Sequence, residues 1–176
     1  MKYVFVAVVS GMLSSFLIMI YWLGLHFLEQ NPFAQYKYLY FPIYGLCFIA
    51  TFYYVRYYLH QNHLRAQQAI LVGFLLNGIT CLCLFVALKM LFSTSSGQTI
   101  KQQHIQQSLQ LLESTKVYLE EHKETLFEFR PENLEQSKRQ IQQLSDNDLA
   151  FDQAFGVGIA GVVFTFLFAL FFKKTS

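Results

Sequence analysis

The side chains able to do chemistry are few, and they are clustered. The stretch FYYVRYYLHQNHLRAQQ, residues 52 to 68, sets Tyr53, Tyr54, Tyr57 and Tyr58 around Arg56 and then offers His60 and His63 three residues apart. Two histidines at that spacing can ligate a metal, yet they leave a tetrahedral zinc site short of ligands, and no cysteine or carboxylate lies nearby in sequence. No metal is expected there. Nucleic acid is not expected either, because the formal charge is only +2 and a footprint for DNA or RNA would be a basic cluster on a soluble face. The pair Cys81 and Cys83 looks like a ligand pair on paper, but on a helix the two lie about 200° apart and face nearly opposite directions. With Cys47 they read as small apolar packing residues, and none suggests a disulfide framework. Asn77 is the one strongly polar residue deep in an apolar run. A hydrogen bond from it to a neighbouring helix, of order 1 kcal/mol, is the expectation. The motifs GxSxG, HExxH and GxxxxGK[ST] are missing, so the chain is not expected to be an enzyme and no cofactor is expected.

These residues must be positioned by elements suited to lipid. The chain has 176 residues, 54% apolar and 18% aromatic with only 14% charged, which is too apolar for an ordinary soluble domain. The charge is also segregated: of 11 acidic residues, all but Glu29 fall between Glu113 and Asp152. Four apolar runs approach the ~20 residues that a helix needs to cross about 30 Å of hydrocarbon. They cover about 4–28, 38–59, 69–92 and 151–172. The first exceeds a signal-peptide core and lacks a small-x-small cleavage pattern after it, so it reads as a retained anchor. Continuous apolar character, without alternation, implies helices and not barrel strands.

Orientation follows from basic residues near the span ends. Lys2, Arg56, Arg65, Lys173 and Lys174 fall on one side, which the positive-inside rule makes cytoplasmic. The other side carries Lys37, Lys89, Lys101 and a long, net acidic segment. Both termini are therefore expected in the cytoplasm and residues 93 to 150 outside. On this topology Tyr53, Tyr54, Tyr57 and Tyr58 form an interfacial belt around a snorkelling Arg56, and they serve as anchors rather than as a ligand site.

Small residues supply the remaining pattern. Ala7, Gly11 and Ser15 recur every four residues in the first span, and Ala154, Gly158, Gly161, Thr165 and Ala169 make a similar stripe in the fourth. Such stripes let backbones approach where lipid offers no hydrophobic drive, and the two together predict a direct contact between the first and fourth spans. Between spans three and four, STSSGQ is a break rich in capping residues. IQQSLQLLESTKVYLEEHKETLFEF then reads as an amphipathic helix with Ile105, Leu112, Leu119 and Leu126 seven apart, a weak heptad signal because Ser108, Thr115 and His122 interrupt it. Pro131 breaks the pattern, and ENLEQSKRQIQQL starts a second helix with Leu134, Ile141 and Leu144 on one side. Residues 145 to 148 are expected to cap the last span.

The segments VVSGMLSSFL, YYVRYYLHQNHLRAQQAILVGF and FGVGIAGVVFTFLFALFFKK, in that order around a charged helical insert, resemble a bacterial four-span membrane family, domain-of-unknown-function family 4199. The likeness covers essentially the whole chain. Gln68, Gly73 and Phe74 match the family's turn into its third span, whereas Arg65-Ala66 depart from it. The resemblance implies topology and an inner-membrane location, and carries over no catalytic residue.

The sequence thus predicts an all-α integral membrane four-helix bundle with an extramembrane helical hairpin between the third and fourth spans. Residues 1–92 hold three spans, 93–150 an extracytoplasmic amphipathic segment, and 151–176 the fourth span with a basic tail. The lipid bilayer is one partner. A membrane or periplasmic protein met by residues 98–148 is the expected other, which makes the chain a non-enzymatic accessory or scaffold protein; the oligomeric state stays open. The alternative is a small oligomeric transporter or channel.

Overall fold

A computed structural model describes residues 2–28, 30–33, 37–59, 64–121 and 131–172. It is helical throughout, with no strand among the described residues. The elements are α1 (Lys2–Phe27), a short 3-10 turn (Lys37–Leu39), α2 (Tyr40–Tyr54), a π-helical turn (Val55–Leu59), α3 (Ala66–Phe92), α4 (Ser95–Glu121), α5 (Pro131–Gln142) and α6 (Asp146–Phe172). Three of these, α1, α3 and α6, are long and apolar enough to cross a membrane. The chain is therefore consistent with a multi-pass membrane protein.

Each of the three is apolar around most of its circumference, so sequence pattern does not select a buried face. Packing does. α3 lies against α1 along one side and α6 along the other, and α2 closes a ring by touching both α1 and α6. Phe16, Phe155, Phe166 and Phe171 point outward and are exposed. In water such a surface would be an aggregation liability; in hydrocarbon it meets its proper solvent.

The contact predicted between the first and last spans is not formed: α1 and α6 each pack along α3 instead of along each other. The Gly11 position shows why. A Cβ built there would come within 2.8 Å of the Leu76 carbonyl oxygen and 2.9 Å of Ile79 Cβ, so the glycine lets α1 press against the α3 backbone. Thr80 seals this crossing by sharing its hydroxyl proton between the carbonyls of Leu76 at 2.8 Å and Gly11 at 3.2 Å. On the opposite side, Gly73 leaves room for Thr165 of α6, whose Cγ2 would lie 2.6 Å from an added Cβ. Small residues permit close approach without specifying a partner.

The second apolar run is divided. Its regular helix ends at Tyr54, and the turn that follows is π-helical. The wider π turn brings residues four apart closer to alignment, and the tyrosine rings use this. Tyr53 and Tyr57 lie 4.6 Å apart between centroids, and Tyr54 and Tyr58 stack at 5.2 Å.

α3 begins with the Arg65 backbone N–H donating to Gln68 Oε1 at 3.2 Å, which satisfies a donor left open at the helix start. At its other end α3 passes almost directly into α4. Thr94 accepts from the Gly97 N–H at 3.1 Å as an N-cap, so α4 starts ten residues before the amphipathic pattern does. A side chain at Gly97 would strike the Leu91 carbonyl, so only glycine allows this reversal. α5 packs on α4 and buries Leu134. Residues 145 to 148 form the capping box expected from sequence: Ser145 Oγ accepts from the Asp148 N–H at 3.1 Å, and the Ser145 N–H donates to Asp148 Oδ2 at 3.2 Å.

Candidate functional site, a polar node inside the helix ring

Asn77 sits on the face of α3 turned toward α2 and α6, and it is almost fully buried. Its amide joins three helices. Tyr44 of α2 donates its hydroxyl proton to Asn77 Oδ1 at 2.8 Å, and Asn77 Nδ2 donates to the Gly158 carbonyl of α6 at 3.0 Å. Cys81, one turn along α3, approaches the same Oδ1 at 3.5 Å. The fit depends on glycine, since a Cβ at Gly161 would collide with the Asn77 amide and meet Tyr44 Oη at 2.7 Å, while one at Gly158 would lie 3.2 Å from Cys81 Sγ. No group in the node carries charge at neutral pH in these roles. Its chemistry is hydrogen bonding, and its product is a fixed spacing of α2, α3 and α6.

Around the node, the buried hydroxyls of Thr51, Thr165 and Ser14 return to their own helices. Thr51 donates to the Cys47 carbonyl at 2.7 Å, Thr165 to Gly161 at 2.7 Å and Ser14 to Ser10 at 2.7 Å. This back-bonding satisfies polar groups without water or ligand. Below the node, Tyr44, Phe48, Phe52, Phe164 and Phe168 form a continuous aromatic seam between α2 and α6, with neighbouring centroids 5.0 to 6.4 Å apart.

A second polar group lies where α3, α4 and α6 meet. Lys101 of α4 forms an ion pair with Asp146 at 2.7 Å, and Gln98 Nε2 reaches both Asp146 Oδ2 at 3.1 Å and the Phe92 carbonyl at 2.5 Å. Asp146 stands in the first turn of α6, ahead of its apolar run. The Lys101 hydrogen bond holds its carboxyl below the usual aspartate range. Farther along α4, Gln107 Oε1 accepts from Asn31 Nδ2 at 2.8 Å, and Phe33 fits among Trp22, Phe92 and His104 with ring centroids 5.6 to 6.0 Å apart. The α4 helix is thereby tied to the segment that follows α1. A pocket of about 200 Å³ between α4, α5 and α6, lined by His104, Ser108, Gln140 and Asp152 among others, is smaller than the ~300–1,000 Å³ usual for ligand sites.

Several sequence-predicted residues find definite places. Ala7, Gly11 and Ser15 are buried on α1, Ala154 and Gly161 are buried on α6, and Gly158 is half-buried against Cys81. Arg56 lies over the Tyr57 ring, 5.3 Å from its centroid, within the tyrosine cluster. His60, His63, Lys173, Lys174 and Leu126 fall outside the described residues. The sequence had marked Asn77 but not its partner Tyr44, nor the role of Phe33 as the hub of an aromatic cluster. Tyr44 carried no signal of its own, being one of many aromatics in an apolar run.

Comparison with known proteins gives one assignment. The family model described as Protein of unknown function (DUF4199) matches residues 2–174, and the chain belongs to that family. No curated protein and no solved structure matches the chain.

Proposed function

We propose that this family member is a non-enzymatic membrane scaffold that mounts an acidic helix pair, α4 with α5, at the bilayer surface for a protein partner. The carrying observation is the way α4 is fastened: the Lys101–Asp146 pair, Gln98 and the Asn31–Gln107 bond hold it to the membrane part at separate points along its length. Helix pairs fixed in this manner present a defined surface at little ordering cost on binding. Leu111, Val117 and Tyr118 lie exposed on α4 among its charges and would form part of that surface.

In this reading α2 and the π turn together make a second crossing, since Tyr40 to Leu59 rises about 30 Å at ~1.5 Å per residue, giving four spans with α1, α3 and α6. Both termini then face the cytoplasm of a bacterial inner membrane, and α4 and α5 form a hairpin outside. The spent hydrogen bonds of Asn77, Thr80 and Thr165 support a packed interior over a solute path.

The test is chemical crosslinking in cells followed by purification in mild detergent. A stoichiometric companion protein that is captured by the native chain and lost from Leu111→Ser with Val117→Ser supports the scaffold. A homo-oligomer alone, whose stability responds to an added solute, overturns it in favour of a transporter. Separately, a cysteine introduced at Val117 in a background without native cysteines should react with a membrane-impermeant reagent in spheroplasts; reaction only after the inner membrane is opened reverses the orientation.

A further inference from the structure

α4 carries two faces, and α5 covers one of them. Ile105 shares a small pocket with Ile141 and Leu144, and Glu113 meets Lys138 of α5. About a third of a turn from Ile105 runs a second stripe, Ile100, His104, Gln107, Leu111, Ser114 and Tyr118, whose 4-3-4-3-4 spacing keeps every member within about 60° of Leu111. No lysine, arginine or acidic residue stands on it. Its first half is covered: Ile100 is buried, the His104 ring lies 6.0 Å from Phe33, and Gln107 accepts from Asn31. Its second half is bare, with Leu111 68% and Tyr118 54% exposed. Ser114 and Thr115 turn their hydroxyls back to the Leu111 carbonyl at 2.9 and 2.8 Å, so this half shows little polarity.

The course of α4 shows what lies under the bare half. α3 and α6 are antiparallel, with Gly73 against Thr165 and Asn77 against Gly158, so Asp146 stands level with the end of α3 and Asp152 about 9 Å deeper. α4 meets both levels: Gln98 and Lys101 bond Asp146, and Ser108, about 15 Å beyond Gln98, shares a pocket with Asp152. Phe33, in contact with His104, also touches Trp22 of α1 and Phe92 of α3. A helix continuing the α3 axis would instead have carried Ser108 about 24 Å past the end of α3. After the reversal at Gly97, α4 therefore runs across the end of the bundle. Beyond Gln107 it continues for about 21 Å to Glu121, and the exposure of Leu111 and Tyr118 shows that no part of the described bundle lies beneath it. Apolar surface reaches this level: Phe27 and Leu28 at the end of α1 and Met90 near the end of α3 are all exposed. Hydrocarbon that covers those residues ends where the overhanging half of α4 begins.

We propose that the second half of α4 is an interfacial helix, seated on the bilayer with Leu111 and Tyr118 dipped into the boundary between headgroups and acyl chains. The partner is the lipid surface itself, zwitterionic as well as anionic, because the stripe offers apolar contact and no lysine or arginine. A helix held this way buries its apolar side about 5–10 Å into that boundary, a depth to which the amphipathic tyrosine ring is suited. The inference rests on the membrane reading above. It narrows the surface open to a protein partner to α5 and the water side of α4, where Val117 stands about 120° from Leu111.

The experiment uses the full chain in phosphatidylcholine vesicles with no other protein present, so the result does not depend on a companion. Spin labels are placed on single cysteines in a background without native cysteines, and accessibility to oxygen, which concentrates in hydrocarbon, is compared with accessibility to a water-soluble nickel chelate. Phe155→Cys, on the outer face of α6, sets the value for lipid. Leu111→Cys and Tyr118→Cys should give an oxygen-to-nickel ratio several-fold above those of Gln110→Cys and Val117→Cys. All five positions are exposed, so the labels leave the core intact. Adding Leu111→Glu should lower the ratio at Tyr118→Cys to that at Val117→Cys, because a carboxylate lifts the stripe from the boundary; a ratio that stays high overturns the proposal. Equally low ratios at the four α4 positions, with Phe155→Cys lipid-like, overturn it and leave the membrane reading standing, whereas a water-like Phe155→Cys overturns both. Dipolar broadening between copies labelled at Leu111→Cys overturns it as well, by giving the stripe to a second chain.

Discussion

Asn77 determines how closely α6 can approach α3, because its amide occupies the space that two glycines leave open. Asn77→Ala would strip the buried Tyr44 hydroxyl of its acceptor, and would take from the Gly158 carbonyl the second donor that it has beside its own helix bond. The expected loss is about 1–2 kcal/mol of stability in detergent, the range for interhelical hydrogen bonds and for groups left unsatisfied. Tyr44→Phe removes that orphaned hydroxyl in advance. A double-mutant cycle should therefore find that the pair costs less than the sum of the two; strict additivity would show that the 2.8 Å bond carries no coupling. Glycine positions separate just as sharply. Gly161→Ala should cost about 1–3 kcal/mol as overpacking against Asn77, whereas Gly156→Ala, where nothing lies within 4 Å, should change thermal stability little. Equal melting temperatures for the two variants would contradict the packing described.

At the scale of elements, the junction of α3, α4 and α6 is the place where the long apolar helices hand position to α4 and α5. Gly97 allows the reversal, Thr94 caps α4, and Lys101 with Gln98 ties α4 to the first turn of α6. Folding lowers the pKa of Asp146, so its contribution is complete above the unfolded aspartate value near ~3.9 and fades as pH falls through the lower folded value. The carboxylate is well exposed, so solvent screens the pair and the effect is small. Protection of the α4 amides, taken relative to their intrinsic exchange rates at each pH, should fall modestly below that pH in the native chain. In Asp146→Asn protection should already be lower at neutral pH and should no longer change with acid. An unchanged acid response in the variant would assign the sensitivity to another group.

For the whole molecule, α3 is the axis, and α1 and α6 lie on opposite sides of it. Gly11→Cys with Ile79→Cys should form a disulfide within one chain, since an added Cβ at Gly11 falls 2.9 Å from Ile79 Cβ before local adjustment. Gly11→Cys with Gly158→Cys should not. Crosslinking of the second pair in preference to the first would restore the α1–α6 contact that the small-residue stripes suggested and would remove α3 from the centre. The same arrangement predicts where damage is absorbed: substitutions on α3 facing either neighbour should disturb two interfaces, and those on the outer face of α6, such as Val163→Leu, should disturb none.

Much of this was open to reading in one dimension. Apolar length determined the helices and their approximate ends, because lipid demands that backbone groups be satisfied within each segment. Residues 145 to 148 announced the start of α6, because capping is local chemistry between residues a few positions apart, whereas the stretch STSSGQ was read wholly as a break although α4 begins inside it at Ser95. Asn77 identified itself as an interhelical donor by being the lone amide in an apolar run. What the tertiary structure alone decided was pairing. Helices that are apolar all round and small on one stripe carry no address, so Gly11 is as compatible with Gly158 as with Leu76 and Ile79 until the steric fit of all four partners is counted together. Tyr44 was invisible for the same reason: its hydroxyl gains a purpose only when α2 places it 2.8 Å from an amide 33 residues away. The π turn, likewise, was beyond periodicity, since no residue from Val55 to Leu59 forbids a regular helix.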